Sequence, residues 1–244
     1  MPTRPVRIPA LLAALLVAAP ALRAQEAPAV VTKITADLGY VAVTGNTEVT
    51  TFNIGEKLNQ SRGRWTFDQG VTLVYSQQRD SVITNWFKAN VRGDYRIDKI
   101  LAAFTGVIYD RNTFAGIERR FEEQLGLTAR LVGTARDTVR VEGGGSFTQQ
   151  VGTDGIQQNF PSARGAMSWR HGFTASAYFT QQLEYIPNLK ETEDWRVNTE
   201  SALVAPLSAK IGLKLAYVIR YDNLPQPGFR STDRLFTSGI QITF

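Results

Sequence analysis

The sequence of 244 residues contains no cysteine and a single histidine, His171. Without cysteine, the chain can form neither disulfide bonds nor thiolate metal sites, and it cannot use thiol catalysis. A single histidine excludes metal sites built from several imidazoles. Beyond the N-terminal region, no segment has the long apolar run of a membrane-spanning helix, and helical periodicity is scarce. We therefore expect neither a cofactor nor a metal ion.

The first 24 residues have the three parts of a secretory signal peptide. A segment with two arginines is followed by an apolar stretch over residues 8–22, and Ala24 is the small residue that a signal peptidase requires. The stretch is short for a membrane anchor, and a proline interrupts its end. The sequence predicts cleavage between Ala24 and Gln25, followed by a short periplasmic segment over residues 25–32.

The signal peptide also accounts for much of the formal net charge of +5. It carries three arginines and no acid, so its removal lowers the Lys+Arg count from 27 to 24 against 22 Asp+Glu, which leaves +2. A charge this small does not indicate a nucleic-acid partner.

Apolar and polar residues alternate along the remaining chain, as they do in transmembrane β-strands. In residues 211–222, Leu213 and Leu215 share one face, whereas Lys214 and Arg220 share the other. The pattern predicts twelve strands, at about residues 33–44, 48–59, 64–77, 84–97, 99–110, 118–132, 137–149, 161–170, 173–186, 192–205, 209–222 and 232–244. We therefore expect an all-β fold, a closed antiparallel transmembrane β-barrel over residues 33–244.

The predicted connections support this topology, because outer-membrane barrels have short periplasmic turns and longer outer loops. With the N-terminus in the periplasm, the predicted turns on that side are tight, among them Asp98 alone and His171-Gly172. Most outer loops are predicted to be longer, among them residues 78–83 and 150–160. Aromatic residues, including Trp86, fall near the predicted strand ends, where two interfacial girdles are expected.

The last strand predicts an assembly signal. Ile240, Ile242 and the final residue, Phe244, lie on one face of this strand. An alternating strand that ends in an aromatic residue is the usual form of the signal read by the outer-membrane barrel-assembly machinery. We expect this machinery and periplasmic chaperones as partners during assembly. The mature barrel would then lie in the cell outer membrane, in contact with its lipid and with lipopolysaccharide.

Several short motifs between Leu38 and Phe244 occur in a characteristic order and spacing. They are Gly39-Tyr40, Gly45-Asn46-Thr47, Tyr109-Asp110-Arg111, Gly116-Ile117, Arg120, Gly126-Leu127, Tyr221, Pro225, Pro227-Gly228, Thr232-Asp233 and Phe244. In these features the chain resembles a family of outer-membrane β-barrels called salt-induced outer-membrane proteins, whose defining domain has no assigned function. The resemblance implies a barrel in the outer membrane and a link to osmotic or salt stress, and it supplies no catalytic residues.

Charged residues on the predicted inner face are the candidate functional residues. The residues expected to line the lumen are Arg92, Asp94, Arg96, Asp110, Glu122, Arg130, Arg140, Glu142, Arg164, Arg196, Lys214 and Arg220. In one hypothesis they form a narrow pore that selects small solutes or ions. In the other, opposite charges pair across the lumen and fill it. Twelve strands lie between filled eight-stranded barrels and open sixteen-stranded porins, so the strand number leaves both hypotheses open.

His171 is the histidine that could act as a catalytic base. It lies beside Gly172 in a predicted two-residue turn, and no oxyanion-hole motif accompanies the nearby Ser168. We therefore expect a protein that is not an enzyme, either a small channel or a protein of envelope integrity. A lipid-modifying enzyme of the outer membrane and a soluble periplasmic β domain are the alternatives.

Overall fold

A computed structural model describes residues 30–43, 49–79 and 81–244, and within these ranges the chain forms a closed antiparallel barrel of twelve strands. The strands are β1 (Val30–Val43), β2 (Val49–Arg62), β3 (Trp65–Gln78), β4 (Ser81–Arg96), β5 (Leu101–Asn112), β6 (Ile117–Gly133), β7 (Asp137–Gly152), β8 (Gln157–Gly172), β9 (Tyr178–Pro187), β10 (Trp195–Pro206), β11 (Ile211–Asp222) and β12 (Thr232–Thr243). Each strand pairs with its neighbours in sequence, and β1 pairs with β12. The predicted fold class is confirmed.

The N-terminal boundary differs from the prediction. The predicted signal peptide and its cleavage point, between Ala24 and Gln25, lie outside the described residues. The first strand begins at Val30, so residues 30–32 belong to the sheet and not to a separate periplasmic segment. They extend the sheet because β2 runs to Arg62, which lies directly opposite Val30 and offers its backbone groups for pairing.

No helix within the described ranges is long and apolar enough to cross a membrane. The only helical element there is a single 3-10 turn over Thr113–Ala115, between β5 and β6.

We call the end of the barrel where β1 begins and β12 ends the lower end, and the opposite end the upper end. At the upper end, two residues join β3 to β4 and residues 153–156 join β7 to β8, so the long loops predicted at 78–83 and 150–160 are wrong. Both strand pairs continue through polar residues such as Gln150 opposite Gln158. Apolar alternation predicts strand ends that are too early here, because a strand that extends beyond the membrane needs no apolar face.

His171 does not lie in a turn, contrary to the prediction. The eighth strand continues to Gly172, whose backbone N–H donates to the carbonyl of Arg136 at 2.7 Å. The chain then turns through residues 173–177, where the backbone N–H of Phe173 donates to the carbonyl of Ala177 at 2.9 Å. Glycine next to a polar residue predicts a turn, but pairing with β7 extends the strand past it.

Large apolar side chains cover much of the outer surface. Leu125 and Phe236, for example, are 68% and 62% exposed. Aromatic pairs flank this apolar band at both ends, with ring centroids 4.9 Å apart for Trp65 and Tyr95 at the lower end and 5.0 Å apart for Trp195 and Tyr221 at the upper end. An apolar band between two aromatic girdles is typical of a barrel that spans a membrane.

A few polar side chains also lie on the outer face. The side-chain amide of Gln181 donates to Thr199 Oγ1 at 2.7 Å and accepts from Ser201 Oγ at 2.5 Å, so the three groups satisfy one another. Glu123, on the outer face of β6, is exposed and has no ion-pair partner among the described residues. The first three groups thus meet the requirement that polar groups near a hydrocarbon phase be hydrogen-bonded, and Glu123 does not.

The seam between β1 and β12 closes the sheet over four paired residues on each strand. The two backbones come so close there that a Cβ atom at Gly239 would lie 2.3 Å from the carbonyl oxygen of Leu38. Phe244 extends the seam, because its backbone N–H donates to Ile34 at 2.9 Å and its carbonyl accepts from Ile34 at 3.3 Å. The short seam therefore depends on a glycine and on the last residue of the sequence.

Deleting Phe244 should impair barrel formation. The deletion removes both hydrogen bonds to Ile34, a loss of about 2 kcal/mol at roughly 1 kcal/mol each. Refolding into lipid vesicles, followed by heat-modifiable mobility on gels, measures the folded fraction. Phe244→Tyr keeps both backbone bonds and serves as the control. A truncated chain that folds in the same yield as the control would contradict the role of this residue.

An arginine at Leu215 should destabilise the barrel. Leu215 lies near the middle of β11, on the face opposite Lys214, and it is paired with Leu203 of β10. If this face contacts lipid, Leu215→Arg costs about 2–4 kcal/mol near the membrane midplane. The free energy of unfolding in vesicles measures the effect, and Leu224→Arg in the exposed loop after β11 is the matched control. Equal stabilities of the two variants would invalidate the assignment of the faces.

Candidate functional site: the barrel lumen

Charged side chains from strands that are not neighbours meet inside the barrel. Of the twelve residues predicted to line the lumen, nine form ion pairs with one another or with a tenth charged residue, Asp37. They are Arg92, Asp94, Asp110, Glu122, Glu142, Arg164, Arg196, Lys214 and Arg220. The other three, Arg96, Arg130 and Arg140, lie at the lower end.

The upper cluster consists of Trp86, Asp110, Arg120, Glu122, Arg196 and Arg220. Asp110 lies on β5 and Arg220 on β11, which are six strands apart in a barrel of twelve and therefore face each other across the lumen. Their side chains form an ion pair, and Trp86 Nε1 donates to the same carboxylate at 2.7 Å. One arginine and one aspartate side chain together therefore span the lumen between opposite walls of the barrel.

A second bridge crosses the lumen within this cluster. Arg196 Nη2 on β10 lies 3.1 Å from Glu122 Oε2 on β6, and Gln124 Nε2 donates to the other carboxylate oxygen at 2.6 Å. Arg120 Nε donates to Gln150 Oε1 at 2.6 Å. Asp110, Arg120 and Glu122 are only 4–5% exposed. The upper cluster therefore packs the lumen with buried charges, of which four form two ion pairs and Arg120 is bound to a neutral amide.

The middle cluster consists of Arg92, Asp94, Glu142, Arg164 and Glu184, and it extends from β4 to β9. Glu142 accepts from Arg92 at 2.8 Å and from Arg164 at 2.6 Å, and Arg164 Nε also donates to Glu184 at 2.6 Å. Asp94 pairs with Arg92 at 2.8 Å. Two arginines and three carboxylates thus form one chain of ion pairs along half of the wall.

An aromatic ring supports the middle cluster from one side. The guanidinium of Arg92 lies 4.0 Å from the ring centroid of Phe104, and that of Arg164 lies 5.5 Å from it. A Cβ atom at Gly126 would lie 2.9 Å from the Phe104 ring. Glycine on the neighbouring strand therefore makes room for the ring on which both arginines are stacked.

The seam cluster consists of Asp37, Tyr178, Lys214 and Gln241. Lys214 Nζ lies 2.5 Å from Asp37 Oδ2, and the side-chain amide of Gln241 donates to Asp37 Oδ1 at 2.9 Å. Tyr178 donates to Gln241 Oε1 at 2.6 Å. These contacts join β1, β9, β11 and β12 on the inside of the seam, and they leave Lys214 neutralised.

The lower ring consists of Arg96, Arg130 and Arg140, and no carboxylate of the described residues lies within 4.0 Å of them. Arg96 Nη2 donates to the carbonyl of Gly63 at 2.9 Å, and Arg130 Nη2 donates to the carbonyl of Lys99 at 2.6 Å. Turn carbonyls therefore hold two of the three arginines in place, and none of the three has an ion-pair partner among the described residues.

Asp98, the acid of the turn between β4 and β5, is engaged by its own backbone. Its Oδ1 accepts from the N–H groups of Leu101 and Ile100, both at 2.7 Å. These hydrogen bonds, with Leu101 contributing most, hold the pKa of Asp98 below its usual value. The carboxylate caps its turn and forms no ion pair with the lower ring.

A cavity of about 720 Å³ occupies the lumen below the upper cluster. Its lining begins at Asp98 and Lys99 at the lower end, includes the lower ring and much of the middle cluster, and ends at Trp86 and Arg220. Within the described residues, no group of three acidic or histidine side chains is arranged to hold a metal ion. The arrangement can admit water and small polar solutes as far as the upper cluster.

Two aromatic residues of the lumen escape prediction from the sequence. Trp86 is predicted to lie in the outer girdle, but it points inward and donates to Asp110. Phe104 belongs to the strand in which both faces are largely apolar, so alternation does not assign its side. Each ring lies close to an inward arginine, but this contact can be recognised only when it is known which strands are adjacent.

His171 lies outside the lumen, on the outer face of the lower end. Its Nδ1 is 2.8 Å from Asp137 Oδ1, and Trp169 donates to the same oxygen at 3.0 Å. Ser168, an odd number of residues away on the same strand, points to the other face and lines the cavity. The structure therefore separates this histidine from the serine nearest to it in sequence.

Comparisons with known proteins agree with this architecture. A family model described as "Protein of unknown function, DUF481" matches residues 36–244. No curated protein matches the chain.

Several solved structures are similar in fold. The NanC porin aligns with a TM-score of 0.51 at 10% identity, over 86% of this chain and 97% of that one. An outer membrane channel from Pseudomonas putida F1 aligns with a TM-score of 0.48 at 12% identity, over 93% of this chain and 98% of that one. At this identity, the likeness to the NanC porin shows a shared fold.

Glu142→Gln should destabilise the barrel, because it leaves Arg92 and Arg164 partly buried with less compensating charge. We expect a loss of about 3 kcal/mol, typical of removing one partner of a buried ion pair. Urea unfolding in vesicles measures this loss. Glu118→Gln, at an exposed position near the upper end of β6, removes the same charge outside the lumen. If both variants unfold at the same urea concentration, the middle cluster does not stabilise the barrel.

Proposed function

We propose that this chain, which belongs to the DUF481 family of proteins of unknown function, is an outer-membrane barrel that acts as a narrow channel for small polar solutes. In this proposal the lower end faces the periplasm and the upper cluster limits conductance. The apolar outer surface contacts membrane lipid, with lipopolysaccharide on the outer side.

The observation that carries the proposal is the lumen cavity of about 720 Å³, which extends from the lower turns to the upper cluster. A barrel that only stabilised the envelope would not need a polar cavity of this size inside it. The upper cluster, with its Asp110–Arg220 and Glu122–Arg196 bridges, occupies the remaining part with side chains. Because side chains can change rotamer without breaking the sheet, such a barrier is compatible with passage of small solutes.

A role in osmotic or salt stress stays a prediction. The description of the matching family does not mention salt, and the resemblance noted in the sequence is its only support. A channel that passes small solutes would nevertheless connect directly to osmotic balance. Export by a signal peptide and insertion by the barrel-assembly machinery are likewise part of the proposal.

The alternative of a lipid-modifying enzyme has one observation in its favour. Asp137 holds His171 at 2.8 Å on the outer face, an arrangement that can orient an imidazole as a general base. The nucleophile that such an enzyme needs is not provided by Ser168, which faces the lumen. Loss of lipid turnover in His171→Ala, in a barrel without conductance, would favour the enzyme over the channel.

Planar-bilayer recording tests the channel. We expect small conductance steps from the purified barrel and a several-fold increase in the double variant Asp110→Ala, Arg220→Ala. Removing both partners takes one of the two bridges out of the upper cluster, keeps the Glu122–Arg196 bridge, and leaves neither of the two charges alone. Changing both residues also avoids the misfolding that a single unpaired charge would cause.

The control for this experiment is the double variant Glu118→Ala, Arg119→Ala. It removes the same two types of charge from exposed positions near the upper end of β6, and its conductance should equal that of the wild type. Absence of conductance steps in both the wild type and the Asp110, Arg220 double variant would refute the channel.

A further inference from the structure

Two arginines of the lower ring face each other directly. Arg130 on β6 and Arg140 on β7 are register partners, and both lie on the inner face. Like charges directly opposite each other in a sheet are destabilising. In the middle and seam clusters every inward arginine or lysine has a carboxylate partner, whereas these two have none among the described residues. The pair therefore lacks a negative charge.

No acid near the lower end forms an ion pair with either arginine among the described residues. Asp94 is engaged by Arg92, Glu142 by two arginines of the middle cluster, and Asp98 by its own turn. Asp68, on β3, accepts from Asn59 at 2.6 Å. Two further cations, Arg64 and Lys99 of the lower turns, line the same cavity without a carboxylate within 4.0 Å among the described residues. The field in the lower half of the cavity is therefore positive.

The ring is also prepared for a ligand. Arg96 donates one guanidinium N–H to the carbonyl of Gly63, and Arg130 donates one to the carbonyl of Lys99. The other guanidinium N–H groups of both arginines take no part in these two bonds. All three arginines are exposed to the solvent of the lumen. A guanidinium fork that is already oriented binds carboxylate or phosphate oxygens in pairs.

We propose that the lower ring is a binding site for small organic anions that carry at least two carboxylate or phosphate groups. Such a ligand places one anionic group between Arg130 and Arg140 and another towards Arg96. The cavity of about 720 Å³ lies within the usual size range of ligand pockets, about 300–1,000 Å³. That these anions are the solutes of the channel rests on the proposed function. Their binding to the lower ring does not require the barrel to conduct.

Isothermal titration of the purified barrel in detergent, with pyrophosphate and citrate as probes, tests the site. We expect saturable binding that weakens as the KCl concentration rises, because the interaction is between charges. Arg140→Gln should weaken it at least tenfold. Arg119→Gln, which removes the same charge from an exposed position near the upper end, should leave it unchanged.

A charge reversal separates binding from folding. In Arg140→Glu the new carboxylate lies opposite Arg130 and provides the missing counter-charge within the protein. We expect this variant to melt at the same temperature as the wild type or higher, and to lose binding of both probes. A variant that was merely misfolded would show a lower melting temperature.

The outcomes distinguish the two proposals. Binding of either probe that is lost in Arg140→Glu supports the anion site, even if the barrel does not conduct and the channel is refuted. Conductance without measurable binding of either probe overturns the anion site and leaves the channel intact. Binding that is equally strong in the wild type, Arg140→Gln and Arg140→Glu also overturns it.

Discussion

Closure of the sheet is the constraint on which the other features depend. Side chains of a strand alternate between two faces, so in a closed sheet every second residue shares one enclosed space with its counterparts on eleven other strands. A slip of one residue at the seam would exchange the faces of β1 relative to β12. The register there is set by few contacts, among them the close approach at Gly239 and the hydrogen bonds between Phe244 and Ile34.

Enclosure determines what the charges do. In water an arginine and an aspartate on a protein surface gain little from pairing, but in the lumen both have lost part of their hydration and pair strongly. The middle cluster follows this rule, whereas Arg120 of the upper cluster and the lower ring have no ion-pair partner among the described residues. The upper cluster fills its part of the lumen with buried side chains, and the lower ring borders the cavity. The two proposals concern these two parts separately.

Much of the fold could be predicted because its pattern is local. Alternation along each strand places Lys214 and Leu215 on opposite faces whatever the neighbouring strands are. The errors occur where another interaction competes with the local pattern. Gly172 predicts a turn but donates to Arg136 and extends β8. The strands β7, which ends at Gly152, and β8, which begins at Gln157, pair there through polar residues such as Gln150 and Gln158, where apolar alternation carries no information.

The sequence by itself determined the twelve strands and the side of the sheet on which most charged residues lie. Its lack of cysteine excludes thiol chemistry, and its single histidine excludes metal sites with several imidazoles. Only the tertiary structure decided which inward charges meet. Asp110 and Arg220 are 110 positions apart and form a pair because β5 and β11 lie on opposite walls. Arg130 and Arg140 are ten positions apart, and the register of one hairpin places them face to face. The alternation of side chains along a strand assigns each residue to a face of the sheet. The ion-pair partner of a residue depends on strand order and register, which the sequence of one strand does not encode.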